Sequence, residues 1–416
     1  MSKVRHAIEE YRQFGLAYVF RHALDSLLDG LFRAIGKLVF TRIPLKDVII
    51  IESHNDFDCN GGAFYRYLLQ RGLNERYRII WLIRNPKPKT LPKNVRCFDF
   101  FRPSLIKEYY CCVAKHILND DKFIGKRRPG QVCVYCTHGA IGLKNVRGLI
   151  VIPDDIDFIL SPSAWYDPYM CRDYSVDYPN DRMLHIGFPS NDLLFNGTED
   201  ECARIREQHY SKYILWMPTF RSNSKTRNDS DATYPFGIPL VNTLEELERI
   251  NSFCRDNDSL LIIKIHPMQV KESYQALKDM SNVAVLDGEK TKRLGVDNYR
   301  LMRCCDAMIS DYSSAPYSFL LLNRPIAFDF SDLQHYKIGL AVDNLEDFTP
   351  GAVIYSVEEL MRFLQNVCSG NDEYRDERTR VLNNLYEYQD GDSSYRLALH
   401  LGLLQEQDGG ERKQAD

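Results

Sequence analysis

From residue 47 onward the chain alternates short, nearly continuous apolar runs with longer amphipathic ones. The runs at 47–53 (DVIIIES), 78–84 (RIIWLIR), 95–100, 116–119, 132–138 (VCVYCTH), 158–162 and 182–187 read as strands, with helical stretches such as 61–72 (GGAFYRYLLQRG) between them. After Pro189 comes a polar, turn-rich segment. The alternation then restarts at 213–218 (YILWMP), 259–266 (SLLIIKIH), 283–287, 306–310, 325–330 (PIAFDF) and 352–356. A strand that is apolar throughout needs cover on both faces, which is the pattern of a parallel sheet flanked by helices. Two such series predict an α/β protein with two doubly wound, Rossmann-like domains facing a cleft. They span 47–190 and 212–385, with a linker at 191–211 and a C-terminal helix at 386–404. Ligands of such sheets bind beyond the carboxyl ends of the strands, so the residues just after each run are the ones to read for chemistry.

Residues 1–46 follow a different rhythm. Leu16, Val19, Phe20, Leu24, Leu27, Leu28, Leu31 and Ile35 recur three or four residues apart, as on a helix with one apolar face. Lys3, Arg5, Arg12, Arg21, Arg33, Lys37, Arg42 and Lys46 outnumber Glu9, Glu10, Asp25 and Asp29. No uncharged stretch here approaches the roughly 18 residues needed to span a bilayer. A basic amphipathic helix of this kind is a candidate for a membrane surface; the alternative is that its apolar face packs on the protein's own body. At the other end, 405–416 (QEQDGGERKQAD) is too polar to bury a core and is expected to be disordered.

Composition changes this picture little. With 44% hydrophobic and 26% charged residues the chain is an ordinary globular one, and 416 residues are long for a single core. The net charge of −4 argues against a nucleic-acid partner. Twelve cysteines in a chain of this size, with no leader pattern, are expected to be reduced core residues of a cytosolic protein rather than a disulfide scaffold. Cys133-x-x-Cys136 stands alone, and on a strand its two side chains point to opposite faces, so no metal site is assigned to it.

Four strand ends carry candidate chemistry. His138-Gly139 closes the run 132–138; a histidine can take a proton from an alcohol near neutrality, and the glycine lets substrate approach the backbone. Lys144 follows and could neutralise an anion. His266-Pro267 closes 259–266, where the proline forces extended geometry on the histidine. Arg221, in Pro218-Thr219-Phe220-Arg221, is suited to hold phosphate oxygens through two nitrogens. The fourth end is AMISDYSSAPYSFLLLNRP, residues 307–325, with Asp311, Ser313 and Ser314. Pro316 fits only a first helical turn, so a helix should begin near Ser314 and turn its free N–H groups to the ligand edge. Plain capping, anion binding and a nucleophilic serine all remain readings of this stretch, though no G-x-S-x-G elbow is present.

Taken in order, these stretches resemble the CDP-glycerol glycerophosphotransferase family, the primases and polymerases of teichoic-acid type. The likeness covers roughly 47–390. It rests on CTHGAIGLK, SPSAWY, GFPSNDLL, MPTFR, IIKIHP, ISDYSS, LLLNRPIAFDFSDLQHY and DFTPGAVIYSVEEL. The resemblance implies a GT-B architecture that moves an alditol phosphate from CDP-glycerol, or a related CDP-alditol, to an acceptor hydroxyl and releases CMP. It implies that His138 is the general base, with Gly139 and Lys144 on the acceptor side. His266 would lie near the donor pyrophosphate, with Arg221, Asp311, Ser313 and Ser314 around the donor phosphates. It implies no tightly bound cofactor and no assigned metal. The partners would be a lipid-linked or polymer acceptor and, through residues 1–46, the inner face of the cell membrane. Thr137 replaces a tryptophan of the family pattern, Ala140-Ile141 a Thr-Pro, Ser190 an arginine and Ser318 an aspartate, so the acceptor pocket and the donor could differ. A GT-B glycosyltransferase using a nucleotide sugar and an inactive assembly scaffold are the competing expectations.

Overall fold

The computed structural model describes residues 15–405 apart from 138, 140, 207–208, 224–226, 231, 233, 266–274 and 296. His138, His266, the first fourteen residues and the tail from 406 therefore lie outside the described residues. The chain folds as two compact units. The first takes in the described residues of Met1–His138, Pro153–Ile159 and Tyr395–Asp416, and the second those of Gly139–Ile152 and Leu160–Ser394.

In the first unit β1 (Lys46–Glu52), β2 (Arg78–Ile83), β3 (Val95–Asp99), β4 (Ala114–Asn119), β5 (Val132–Tyr135) and β6 (Phe158–Leu160) lie in the order β3-β2-β1-β4-β5-β6. Every pairing from β3 through to β6 is parallel. Ile49, Ile50, Ile51, Ile79, Ile80 and Trp81 are completely buried. A side chain of this size contributes about 1.5–3 kcal/mol when buried, which is why these runs must be central strands. The run expected at 132–138 leaves the sheet at Tyr135, so Cys136 and Thr137 already belong to the loop. Three helices matter here: α1 (Leu16–Leu38), α2 (Cys59–Gln70) and α3 (Leu105–Val113). The second begins two residues before the expected 61, because the Asp58 carboxylate accepts from the Cys59 N–H at 2.8 Å and caps it there. The first packs on the third through Gly36, where a Cβ would meet the Glu108 carboxylate at 2.8 Å and the Cys112 sulfur at 3.0 Å.

The second unit repeats the plan. Strands β7 (Lys212–Met217), β8 (Ser259–Lys264), β9 (Val283–Leu286), β10 (Ala307–Ser310), β11 (Ile326–Asp329) and β12 (Ala352–Ile354) lie in the order β9-β8-β7-β10-β11-β12, again all parallel. Its helices include α4 (Leu244–Asp256), α5 (Ala315–Leu320), α6 (Val357–Ser369), α7 (Arg375–Leu385) and α8 (Ser393–His400), the last falling within the expected 386–404 and crossing from the second unit into the first. Thr243 and Glu246 form a reciprocal capping box that starts α4. Both sheets are thus doubly wound, as the alternation predicts.

The polar segment at 191–211, read from its turn-rich composition, carries short helices at Asp192–Phe195 and Glu199–Ile205. One expectation changes. Cys202 and Cys304 form a disulfide, so these two cysteines are not reduced; the other described cysteines are free. The pair was not legible because 102 residues separate its members, and only packing of helix 199–205 beside the end of helix 298–303 brings their Cα atoms to 5.2 Å.

Candidate active site

Each sheet reverses its strand order between its first and fourth strands, and in doubly wound sheets that switch point opens the ligand crevice at the carboxyl edge. In the second unit it falls between β7 and β10. The two strand ends are joined by polar contacts: the Ser310 hydroxyl donates to the Met217 carbonyl at 2.7 Å. The Asp311 carboxylate accepts from the Thr219 N–H at 2.9 and 3.1 Å and from the Thr219 hydroxyl at 3.1 Å.

Arg221 sits at this edge, but it is 3% exposed and its fork is turned to the protein. Its Nε donates to Asp332 Oδ2 at 2.8 Å and its Nη2 to Asp332 Oδ1 at 3.1 Å. Nη2 also pairs with Asp311 Oδ2 at 2.7 Å, and Nη1 donates to the carbonyl (3.2 Å) and hydroxyl of Thr219. The guanidinium lies over the rings of Tyr312 and Tyr336, 5.0 and 5.6 Å from their centroids. Burial works against its charge, yet Asp311 and Asp332 hold its pKa well above the ordinary arginine value. Arg221 and Asp311 are therefore brought together on each other. Both side chains thus make their polar contacts within the second unit.

Ser313 and Ser314 are half-buried at the start of α5, where Pro316 stands in the first turn as expected. The Ser313 hydroxyl accepts from the Ala315 N–H at 3.0 Å, whereas the Ser314 side chain makes no capping bond. Against them runs the segment after the first histidine. Gly139 has φ +127°, and a Cβ there would stand 2.7 Å from the Ser314 hydroxyl oxygen; one on Gly142 would lie 3.7 Å from the Ser314 nitrogen. Only glycine permits the approach at 139. Lys144, further along the segment, pairs through Nζ with Asp229 at 3.1 Å. Asp229 is itself fixed by its N–H bonding to the Arg221 carbonyl at 2.5 Å.

In the first unit the switch point lies between β1 and β4. Glu52, fully buried, accepts the N–H groups of Asp120, Asp121 and Lys122 at 3.0–3.1 Å and pairs with Arg84. Burial drives the Asp120 carboxyl well above the carboxylate range. On the loop after β5, Thr137 has φ +60°, a conformation β-branched residues rarely adopt. The Asn60 amide donates to the carbonyls of Cys136 at 2.8 Å and Thr137 at 2.9 Å, the two residues ahead of His138.

Several of these residues carried no sequence signal for a role. Asp332, the partner of Arg221, lies inside a stretch that marks the family likeness, but nothing in the stretch points to a hub. Asp192, in GFPSNDLL, accepts from the N–H groups of Ser393 and Ser394 at 2.8 and 2.7 Å and so anchors the start of α8. Among the described residues no group of three His, Cys, Asp or Glu side chains could hold a metal ion.

The chain is similar to several known proteins. A teichoic acid glycerol-phosphate primase of Bacillus subtilis is 29% identical over 320 residues, 70% of this chain and 75% of its own. A teichoic acid poly(glycerol phosphate) polymerase of Bacillus spizizenii is 25% identical, covering 92% of this chain and 98% of its own. The teichoic acid ribitol-phosphate polymerase TarL of Staphylococcus aureus is 28% identical over 249 residues, and the match spans 56% of this chain but only 39% of that polymerase. The solved structure of the wall teichoic acid polymerase TagF superposes with a TM-score of 0.69 at 19% identity, over 95% of this chain and 97% of that one, which shows a shared GT-B fold. The family model for CDP-glycerol:poly(glycerophosphate) glycerophosphotransferases matches residues 38–401, and the chain belongs to that family.

Proposed function

We propose that this chain transfers glycerol phosphate, or a related alditol phosphate such as ribitol phosphate, from a CDP-alditol to an acceptor hydroxyl in the assembly of a teichoic-acid or capsule type polymer. The observation that carries this reading is the run of Gly139 and Gly142 along Ser314 at the switch point of the second sheet. The glycines leave room beside the serine-rich helix start, where a diphosphate would be held, and this close approach supports the reading. Family membership and the primases and polymerases among its relatives support the same donor class, and one solved TagF structure was soaked with CDPG.

In this reading His138 takes the proton of the acceptor hydroxyl. The oxygen bonds to the phosphorus that carries the alditol, the bridge to the cytidylyl phosphate breaks, and CMP leaves with the electron pair. A base in this position contributes ~10² to 10⁴-fold. Ser313 and Ser314 donate to the diphosphate, and His266 offsets charge on the leaving CMP. Lys144, held in place by Asp229, offers an ammonium hydrogen-bond donor on the acceptor side. Phosphoryl transfer needs little covalent help, so positioning and charge do most of the catalysis. Arg221 and Asp311 act by fixing the loop that carries the two serines.

The acceptor is lipid-linked or a polymer, and the chain meets it at the inner face of the cell membrane. Leu16, Phe20, Leu24, Leu27 and Leu31 recur along α1 and are all exposed, and the same helix carries Arg21, Arg33 and Lys37. No described helix is long and apolar enough to cross a membrane, so α1 would lie in the interface.

The test is release of free nucleotide by purified protein given CDP-glycerol, CDP-ribitol and a panel of nucleotide sugars with a lipid-linked acceptor. CMP from one CDP-alditol is the expected result. UDP or GDP from a sugar donor would replace the reading with a glycosyltransferase, and silence with every donor would leave an assembly scaffold.

A further inference from the structure

Asp332 follows β11, is 3% exposed, and joins three segments of the second unit. Its carboxylate accepts the Arg221 fork at 2.8 and 3.1 Å, the Tyr312 hydroxyl at 3.0 Å, the Ser230 hydroxyl at 3.0 Å and the Tyr234 hydroxyl. A carboxylate has about four lone-pair sites, so this one is saturated. Balancing the buried arginine needs only the fork. The hydroxyls of Ser230 and Tyr234 do something more: they tie these two residues to the loop that carries Ser313 and Ser314, since Tyr312, which shares Asp332 with them, is the residue just before Ser313. Next to Ser230 stands Asp229, the partner of Lys144 at 3.1 Å. A backbone bridge between Ser230 and Tyr336 reinforces the tie.

We propose that Asp332 is a positioning residue for the transfer reaction, which through Ser230 and Tyr234 keeps the Asp229–Lys144 pair in register with the Ser313–Ser314 loop. The inference rests on the reading of those serines as the donor-phosphate site. It assigns Asp332 no contact with substrate.

The test uses the full chain with the CDP-alditol it turns over, and compares Ser230→Ala/Tyr234→Phe with the parent. This pair of changes removes the two hydroxyl ties and leaves the Asp332–Arg221 fork in place. Expected are a kcat lowered ~10- to 100-fold, the scale of a small misplacement in a site, a donor KM within about threefold of the parent, and a melting temperature only a few degrees lower, the cost of two hydrogen bonds to a buried carboxylate. Adding Lys144→Ala should then cost much less than it does in the parent, because the register it depends on is already lost. An unchanged kcat, or full additivity with Lys144→Ala, overturns the proposal. So does a lowered melting temperature with no change in rate. Ser313→Ala/Ser314→Ala, assayed alongside, separates the two failures. If that variant keeps its turnover and donor KM, the donor-site reading fails and takes the proposal with it. If it is inactive while Ser230→Ala/Tyr234→Phe works at full rate, only the role of Asp332 fails.

Discussion

Gly139 stands so close to Ser314 that a methyl group on its α-carbon would lie 2.7 Å from the serine hydroxyl oxygen. Its φ of +127° adds a second obstacle to any side chain. Gly139→Ala is therefore expected to push the serine loop away, raising the donor KM and lowering kcat by ten-fold or more. Gly148 is the control: it also has positive φ (+74°), but a Cβ there meets nothing within 4 Å. Gly148→Ala should show only the backbone cost, about 1–3 kcal/mol, with activity intact. Steady-state CMP release and thermal melts on both variants check this.

Arg221 predicts a stability effect where a free phosphate ligand would predict a binding effect. Removing it leaves Asp311 and Asp332 buried without a counter-charge, which typically costs about 3–5 kcal/mol. Arg221→Ala should therefore lose that much in urea unfolding. Arg221→Lys should recover only part, since an ammonium keeps the charge but not the fork over the tyrosine rings. An unfolding free energy equal to the parent's, with donor KM alone affected, would return Arg221 to the phosphates.

The fold was legible because its strands are buried on both faces. Runs such as Ile49–Ile51 and Leu260–Ile263 have no alternative to a covered parallel sheet, and their ends fell within a few residues of expectation. Strand order was not legible, because it is set by which helix crosses which face, and no local pattern records that. The switch points that place Thr219 beside Asp311 therefore emerged only in three dimensions. For the site, Ser314 and Gly139 carry local signals, a proline-marked helix start and a glycine after a histidine. Arg221 carries one too, but its partners Asp311 and Asp332 lie 90 and 111 residues away along the chain, and no local pattern records that pairing.

Asp329 ends β11 fully buried, with Oδ2 lacking a hydrogen-bond partner and Oδ1 accepting from Ser331. Burial pushes its pKa from 3.8 up to about 7 against the opposing pull of the Ser331 hydrogen bonds. The folded chain then keeps a proton that the unfolded chain has lost between about pH 4 and pH 7. Stability contributed by this proton is full below that window and falls as pH rises through it, by on the order of 4 kcal/mol. Asp329→Asn should remove this slope. Urea unfolding of parent and variant at pH 5 and pH 8 measures it, and parallel curves would place the titration elsewhere.

The exposed face of α1 predicts a partition between water and bilayer. Leu27 is 71% and Leu31 53% exposed, so Leu27→Asp/Leu31→Asp should leave the melting temperature unchanged. A leucine contributes about 1.5–3 kcal/mol when fully withdrawn from water, and even half of that for two residues lowers binding to anionic vesicles ten-fold or more. Flotation with anionic lipid vesicles reads this directly. Salt should weaken the parent's binding as well, because Arg21, Arg33 and Lys37 on the same helix are screened by it. A parent chain that stays with the aqueous fraction would show that something other than lipid covers this face.

Asn60 and Thr137 predict a coupling. Thr137 holds φ +60° in a fully buried position, its hydroxyl without a hydrogen bond, while the Asn60 amide donates to its carbonyl and to that of Cys136. Asn60→Ala strips both carbonyls of this donor, a loss of about 1–3 kcal/mol, and frees a strained peptide directly ahead of His138. Glycine adopts positive φ without penalty, so Thr137→Gly should sit within about 1 kcal/mol of the parent, relief of strain offsetting the added freedom of the unfolded chain. Asn60→Ala/Thr137→Gly should then be less stable than Asn60→Ala alone, because the freed threonine has already shed its strain and glycine adds only freedom of the unfolded chain. Its kcat should stay at least ten-fold below the parent's, because glycine does not restore the geometry the amide imposed. Urea unfolding and CMP release on the four proteins of the cycle separate these effects. Additive stabilities would show that the amide and the left-handed threonine are independent.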